Sequence, residues 1–272
     1  MTFDLAGKTI VLTGAASGMG AAMAVQLAAA GAALALVDRD AAGLAEVATK
    51  ARLRGGRVSE HVLDIADATA CAALPDAVLA AHGQPSVLIN NAGVALIGEF
   101  EQASLADFAW LMDINFWGAV RLTRAFLPLF HTQPAAQIVL LSSVFGLIGP
   151  PGQTAYAASK FAIRGFGEAL RHELAATGIG VTIVHPGGVN TNIARNARIG
   201  ETMDPGAARA GAKKFQKMLA LDAATAAARI IRGIERRQKR VLIGRDATAI
   251  DLIQRLFPVR YWNLIQRALP NP

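Results

Sequence analysis

Tyr156 and Lys160 stand one helical turn apart in the segment AYAASK (155–160), with only Ala157, Ala158 and Ser159 between them. Residues four apart share one face of a helix. A phenol and an ammonium so placed belong either to a solvated face, where lysine is common and tyrosine tolerated, or to a site that uses both groups. The pair by itself leaves the two readings open.

A second chemical signal lies near the start of the chain. TGAASGMG (13–20) begins where a short apolar run ends and a helical pattern begins. Gly14, Gly18 and Gly20 remove Cβ atoms where the chain must turn and where a pyrophosphate approaches backbone and helix N-terminus. The spacing is GxxxGxG, and its position after the first strand points to a nucleotide site, with Ser17 and Met19 in the same loop. Asp38 ends the second apolar run, where a carboxylate accepts both ribose hydroxyls and repels a 2′-phosphate. Arg39 beside it is able to tolerate that phosphate, so NAD is expected and NADP stays open. Asp64, with Ile65 next to it, closes the third run at the adenine edge. NNAG (90–93) closes the fourth, and Asn91, Ala92 and Gly93 let the backbone lie against a dinucleotide.

The elements that must position these residues read as strand then helix, repeatedly. KTIVLTG precedes a helix over Met19–Ala30, ALALVDR one over Ala41–Arg54, and RVSEHVLD one over Thr69–His82. SVLINNAG, a long helical stretch over Ser104–Phe130, QIVLLSS, a helix opening near Tyr156, GVTIVHPGG and later KRVLIG complete the series. Short apolar runs separated by helices indicate a parallel sheet covered on both faces, with ligand at the carboxyl ends of the strands. The expectation is one α/β domain over 1–272, a Rossmann-type doubly wound sheet of about seven strands. The uncharged run from Val11 to Val37 is interrupted by glycines and rich in alanine, so it reads as two buried strands flanking a helix rather than a membrane span.

Composition narrows the function. A single cysteine, Cys71, excludes an internal disulfide framework and suits a reducing compartment. The N-terminus lacks the layout of a secretion signal, and a cytoplasmic location is expected. The five histidines are scattered without ligand spacing, so no metal site is expected. The net charge of +7 resides between Arg229 and Arg267, where ten Lys/Arg meet three carboxylates. No nucleic-acid motif accompanies this charge. The extension 245–272, basic with interleaved Leu, Ile, Phe, Tyr and Trp, is expected to pack on its own or a neighbouring subunit; peripheral membrane contact is the alternative.

Together these motifs resemble the short-chain dehydrogenase/reductase family, in its shorter single-domain branch. The resemblance rests on TGxxxGxG at 13–20, Asp64, NNAG at 90–93, Asn115 in DINFWG, Ser142–Ser143, YxxxK at 156–160 and PGGVNT at 186–191. It implies that Tyr156 is the catalytic acid/base and that Lys160 holds the nicotinamide ribose while favouring the phenolate. Physical chemistry agrees: a free phenol, with a pKa near ~10, is a poor base, and adjacent positive charge lowers it. The resemblance further gives Ser143, rather than Ser142, the substrate oxygen and Asn115 a water that links Lys160 to solvent. Pro186, Gly187, Val189 and Thr191 would meet the nicotinamide and pyrophosphate, with Thr191 also suited to capping a helix.

The implied activity is NAD(P)-dependent interconversion of a secondary alcohol and a ketone. Val94, Leu96, Phe145, Leu147, Ile148 and Gly188 are expected to line the substrate pocket, whose apolarity suits a bulky hydrophobic compound. Residues 192–219 read as a lid, either solvated or offering Arg195 or Arg198 to an anion. A homodimer or homotetramer is expected. The alternative function is a dinucleotide-binding sensor or scaffold without turnover. An epimerase or dehydratase of the extended branch fits the glycine spacing poorly.

Overall fold

A computed structural model describes residues 2–193, 195–204, 206, 211 and 219–268. Seven parallel strands form the central sheet: β1 (Thr9–Thr13), β2 (Ala33–Asp38), β3 (Val58–Val62), β4 (Pro85–Asn90), β6 (Ala136–Leu141), β7 (Ile179–Pro186) and β9 (Arg240–Ile243). Their order is β3-β2-β1-β4-β6-β7-β9. Every residue of β1, β4 and β6 is buried, which is why these strands read as unbroken apolar runs rather than alternating ones. The edge strand β3, with its sequence VSEHV, is the partly exposed exception.

The helices α1 (Gly18–Ala29), α2 (Ala41–Arg52), α3 (Ala68–His82), α4 (Leu105–Met112), α5 (Ala119–His131), α6 (Thr154–Glu173), α7 (Ala223–Glu235), α8 (Arg245–Leu256) and α9 (Tyr261–Ala268) connect and extend the sheet. Side chains of α1, α2 and α7 form the core on one sheet face; those of α3, α5 and α6 form it on the other. Carboxylate and hydroxyl caps start several helices. Asp40 accepts from Gly43 N, Asp67 from Thr69 N and Ala70 N, and Ser104 from Asp107 N.

Two departures from the sequence expectation concern the site. The stretch read as one helix over 104–130 is broken by a π-helical turn at Asp113–Gly118. A two-residue parallel pair, β5 (Leu96–Ile97) with β8 (Arg198–Ile199), joins the loop after β4 to the segment expected as a lid. Of that segment, 194, 205, 207–210 and 212–218 lie outside the described residues, and Pro205, Arg209, Lys213 and Lys214 with them; 269–272 of the C-terminal extension lie outside likewise.

The first glycine loop is held by exclusion of side chains. Gly14 adopts φ +64°, and a Cβ there would come within 2.8 Å of Ala92 Cα. A Cβ on Gly20 would overlap the Gly14 carbonyl oxygen, so α1 can approach the loop only with glycine at 20. Gly20→Ala is therefore expected to destabilise the free chain by about 1–3 kcal/mol. Urea unfolding without cofactor checks this, and an unchanged midpoint would show that the loop yields without cost.

Candidate active site

The strand order reverses between β1 and β4, which opens a crevice at their carboxyl ends. The two strand ends are tied across it. Thr13 Oγ1 accepts from Asn91 N and Ala92 N, both at 3.0 Å, while Asn91 Nδ2 donates to Thr13 O (2.9 Å) and Gly14 O (3.1 Å). The crevice holds a cavity of about 330 Å³. Gly14, Ser17, Gly18, Met19, Asp38, Arg39, Asp64, Ile65, Asn91, Ala92, Gly93 and Thr191 line it, so twelve of the sequence-predicted cofactor residues meet in one place.

Their arrangement fits a dinucleotide. Ser17 occupies the N-cap position of α1 but makes no capping bond, leaving its hydroxyl and the first-turn N–H groups available to an anion. A Cβ on Gly18 would stand 3.3 Å from the Thr191 side chain, so loop and lid approach each other closely there. Asp38 Oδ2 accepts from Ala16 N and Oδ1 from Asp40 N, each at 3.0 Å, and both oxygens keep acceptor capacity. Arg39 reaches toward Asp64 (3.9 Å) across the same end of the cavity.

The four expected catalytic side chains do not line this cavity; they are grouped beyond Gly93, where a Cβ would come 3.2 Å from Asn115 Oδ1 and 3.4 Å from Lys160 Nζ. Ser143 stands near enough to Tyr156 to act on its phenol, and Phe145 meets the Tyr156 ring edge-on at 6.1 Å. Lys160 Nζ lies 5.5 Å from the same ring centroid and donates to Leu141 O at 3.0 Å. Burial pushes the Tyr156 phenol up to about 12, against which the nearby Ser143 side chain acts, and pushes Lys160 down to about 8. A Cβ on Gly93 would come 3.4 Å from Lys160 Nζ, so glycine keeps open the space beside the ammonium. Ser142 is occupied elsewhere, donating to Lys160 O at 2.8 Å. Ser143 accepts from Phe145 N (3.1 Å), and its carbonyl accepts from the buried His185 at 3.0 Å. Burial lowers His185 to about 4, so the imidazole that supports Ser143 is neutral. Among the sequence readings His185 was only structural; its support of Ser143 needed the register of β6 and β7.

Several expectations need correction. The side chain of Asn115 is built into the scaffold: Oδ1 accepts from Val94 N (2.8 Å), and Nδ2 donates to Val94 O (3.0 Å) and Ser159 Oγ (3.1 Å). Both amide hydrogens are spent, so anchoring a water falls to the one remaining lone pair of Oδ1 or to the backbone of the π-turn. Gly20 packs α1 on its loop and does not line the cavity. Pro186, Gly187 and Val189 also lie outside its lining, and Val189 N–H turns back onto Gly187 O at 2.8 Å. Gly188 lies outside the cavity lining; its N–H donates to Asp246 (2.7 Å) and its carbonyl accepts from Leu221 N (3.1 Å). Of the predicted substrate-lining residues only Val94 lines the cavity. Leu96 belongs to a small buried cluster on which Val94, Trp110 and Tyr156 pack, while Leu147 and Ile148 are buried in the wall. Among the described residues no group of three His, Cys, Asp or Glu is placed to hold a metal.

The lid segment supplies what the sequence left undecided. Asn192, Ile193, Asn196 and Arg198 join Trp110 and Ile114 in lining the cavity. The Arg198 guanidinium stacks on Trp110 at 3.6 Å and pairs with Asp107 at 3.0 Å, while Arg195 bonds Asn190 (3.2 Å). Trp110 carried no sequence signal beyond helix periodicity.

Comparison with known proteins agrees with this geometry. The short chain dehydrogenase family profile matches residues 8–202. SadH of Mycobacterium tuberculosis, which carries an oxidoreductase name, is 42% identical over 262 residues, covering 95% of this chain and 94% of its own. A short-chain dehydrogenase/reductase from Burkholderia phymatum, solved in complex with NAD, superimposes with a TM-score of 0.85 at 31% identity, over 99% of both chains. A short-chain dehydrogenase from Mycobacterium paratuberculosis, bound to NAD, gives 0.79 at 26% identity over 91% of this chain and all of that one. The chain belongs to the short-chain dehydrogenase/reductase family: it is a Rossmann-type oxidoreductase with a dinucleotide cavity.

Two measurements follow from the geometry. The chain has only two tyrosines, so in Tyr261→Phe the phenolate absorbance reports Tyr156 alone. Without cofactor its midpoint is expected well above the usual ~10, and oxidised dinucleotide, whose ring is positive, should lower it. A free-protein midpoint at or below ~10 would contradict the burial argument. Arg198→Ala should release bound dinucleotide about 3- to 10-fold faster in stopped-flow fluorescence, from loss of a stacked cation and a partly exposed ion pair. An unchanged release rate would mean that the stack does not restrain the lid.

Proposed function

We propose that this protein interconverts a secondary alcohol and a ketone of bulky, hydrophobic character, using NAD in preference to NADP. The observation that carries the reading is the grouping of Tyr156, Ser143 and Lys160, with the Lys160 ammonium 5.5 Å from the Tyr156 ring centroid and next to Gly93 of the dinucleotide cavity. The bound nicotinamide supplies or accepts the hydride. Ser143 orients the substrate oxygen, and Tyr156 gives or takes the hydroxyl proton there. Lys160 holds the ribose hydroxyls and, as an ammonium, favours the phenolate that alcohol oxidation needs. A proton leaves by way of Lys160 and the π-turn around Asn115.

Asp38 supports NAD, because its carboxylate at the ribose end would repel a 2′-phosphate, and the pairing of Arg39 with Asp64 draws that guanidinium toward another carboxylate. The solved relatives that hold NAD support it as well. Phe145, Val94, Leu96 and Tyr156 frame an apolar approach to the reacting centre, which supports a hydrophobic substrate. Exposed Leu105, Trp117 and Phe161, on and between the helices α4 to α6, support association of copies through that face.

The test is nicotinamide reduction over secondary alcohols from small aliphatic to steroidal and aryl, with NAD and NADP in parallel. Turnover on bulky alcohols with NAD is expected, and Tyr156→Phe should lower it by about 10²–10⁴-fold while leaving dinucleotide affinity unchanged. Survival of turnover in that variant would overturn the mechanism. Tight NAD binding with no turnover on any alcohol or ketone would favour a sensor or scaffold.

A further inference from the structure

The C-terminal extension turns a corner between α8 and α9, and that corner carries the densest group of exposed large apolar side chains among the described residues. Leu252 (57% exposed) and Leu256 (63%) lie one turn apart on α8, and Phe257 (48%) and Val259 (90%) continue the stripe through the turn itself. The corner is firmly mounted. Phe257 N bonds Ile253 O, Tyr261 N bonds Phe257 O (2.8 Å), and the Tyr261 hydroxyl accepts from Gly149 N at 3.2 Å. On the opposite side of α8, Ala247 and Asp251 are buried against the body of the protein. The apolar stripe is thus the outward face of an anchored element; of the two partners the sequence left open, its own subunit or a neighbouring one, its own subunit leaves it exposed among the described residues.

The charge around the stripe has one sign. Asp246, though exposed, is engaged as the acceptor of Gly188 N, and Asp251 is buried between Arg240 and Arg255. Arg245, Arg260 and Arg267 are exposed, with no ion-pair partner among the described residues, and Arg255 remains 59% exposed despite its pairing. A two-fold contact with a second copy would set these arginines against their own equivalents. An anionic surface reverses the sign of that interaction, and interfacial segments combine this pattern of protruding apolar side chains flanked by arginine. No helix among the described residues is long and apolar enough to cross a membrane, so contact by this corner would be peripheral.

We propose that the α8–α9 corner docks this protein onto anionic lipid surfaces, with Leu256, Phe257 and Val259 entering the headgroup boundary and Arg255, Arg260 and Arg267 meeting lipid phosphates. Because Tyr261 is bonded to Gly149, the same corner borders the loop that carries Phe145–Ile148, and docking would hold that side of the catalytic end near the lipid.

The full-length protein is sedimented with phosphatidylcholine vesicles, with and without phosphatidylglycerol, at low and raised salt. Binding at least about tenfold stronger to the anionic vesicles, weakened by salt, is expected. Two variants separate the contributions: Leu256→Ser/Phe257→Ser/Val259→Ser and Arg260→Ala/Arg267→Ala. Each should lose most vesicle binding while keeping parental dinucleotide affinity, which shows that it is folded. Equal binding to neutral and anionic vesicles, no binding to either, or parental binding by both variants would overturn the proposal. So would a fall in molar mass by light scattering for the serine variant, which would make the corner a contact between copies.

Discussion

A lysine ammonium kept out of water is the constraint around which this site is organised. Lys160 is buried, and its one described hydrogen bond goes to the carbonyl of Leu141 at the end of β6. An ammonium carries three donors, and burying one with a single protein acceptor is costly, which the lowering of its pKa to about 8 expresses. In the proposed function, ribose hydroxyls would supply the missing acceptors and turn that cost into affinity. The surroundings keep the space for them. Gly93 withholds the Cβ that would fill it, and Asn115 clamps both backbone groups of Val94 so that the loop after β4 cannot collapse onto the lysine. Ser159 links the clamp back to the helix that carries the tyrosine, donating to Tyr156 O at 2.7 Å.

The same economy of polar groups explains the rest of the cavity. Fixed donors and acceptors near the strand ends are consumed in tying the scaffold: Thr13 and Asn91 lock β1 to β4, Ser142 locks β6 to α6, and His185 supports Ser143 from β7. The groups left with capacity are distributed by charge. Carboxylates stand at one end of the cavity in Asp38 and Asp64, an uncapped helix N-terminus stands at Ser17, and the ammonium lies beyond Gly93. In the proposed function the hydroxyls and phosphates of a dinucleotide would each meet the group suited to them.

The fold was legible from the chain because buried parallel strands are written as continuous apolar runs; the strands of the main sheet lie where such runs occur, except the edge strand β3, whose VSEHV mixes polar and apolar residues. The glycine loop and the Tyr156–Lys160 pair were legible for a similar reason, since each depends on local spacing. What escaped the sequence depends on contacts between distant segments. The π-turn at Asp113–Gly118 preserves helical periodicity on either side, so 104–130 reads as one helix. Nothing local says that Asn115 will spend its amide on Val94, or that Val189 and Gly188 will turn their backbone groups onto their neighbours and Asp246. Arg198 was one of two candidate arginines until β8 paired with β5 and set it on Trp110.

The two ends of the mechanism are therefore held by interactions of different kinds. Around Tyr156 and Lys160 the hydrogen bonds are buried, and opening any of them leaves an unsatisfied group in a dry place. Over the cavity the lid segment is held by Arg198 N to Ala95 O, Gly200 N to Ile97 O, a stacked guanidinium and a half-exposed ion pair. Water and salt can replace each of these at little cost. In the proposed mechanism such a division would let a cofactor enter and leave beneath Arg198 without disturbing the register of Ser143, Tyr156 and Lys160, on which proton transfer would depend.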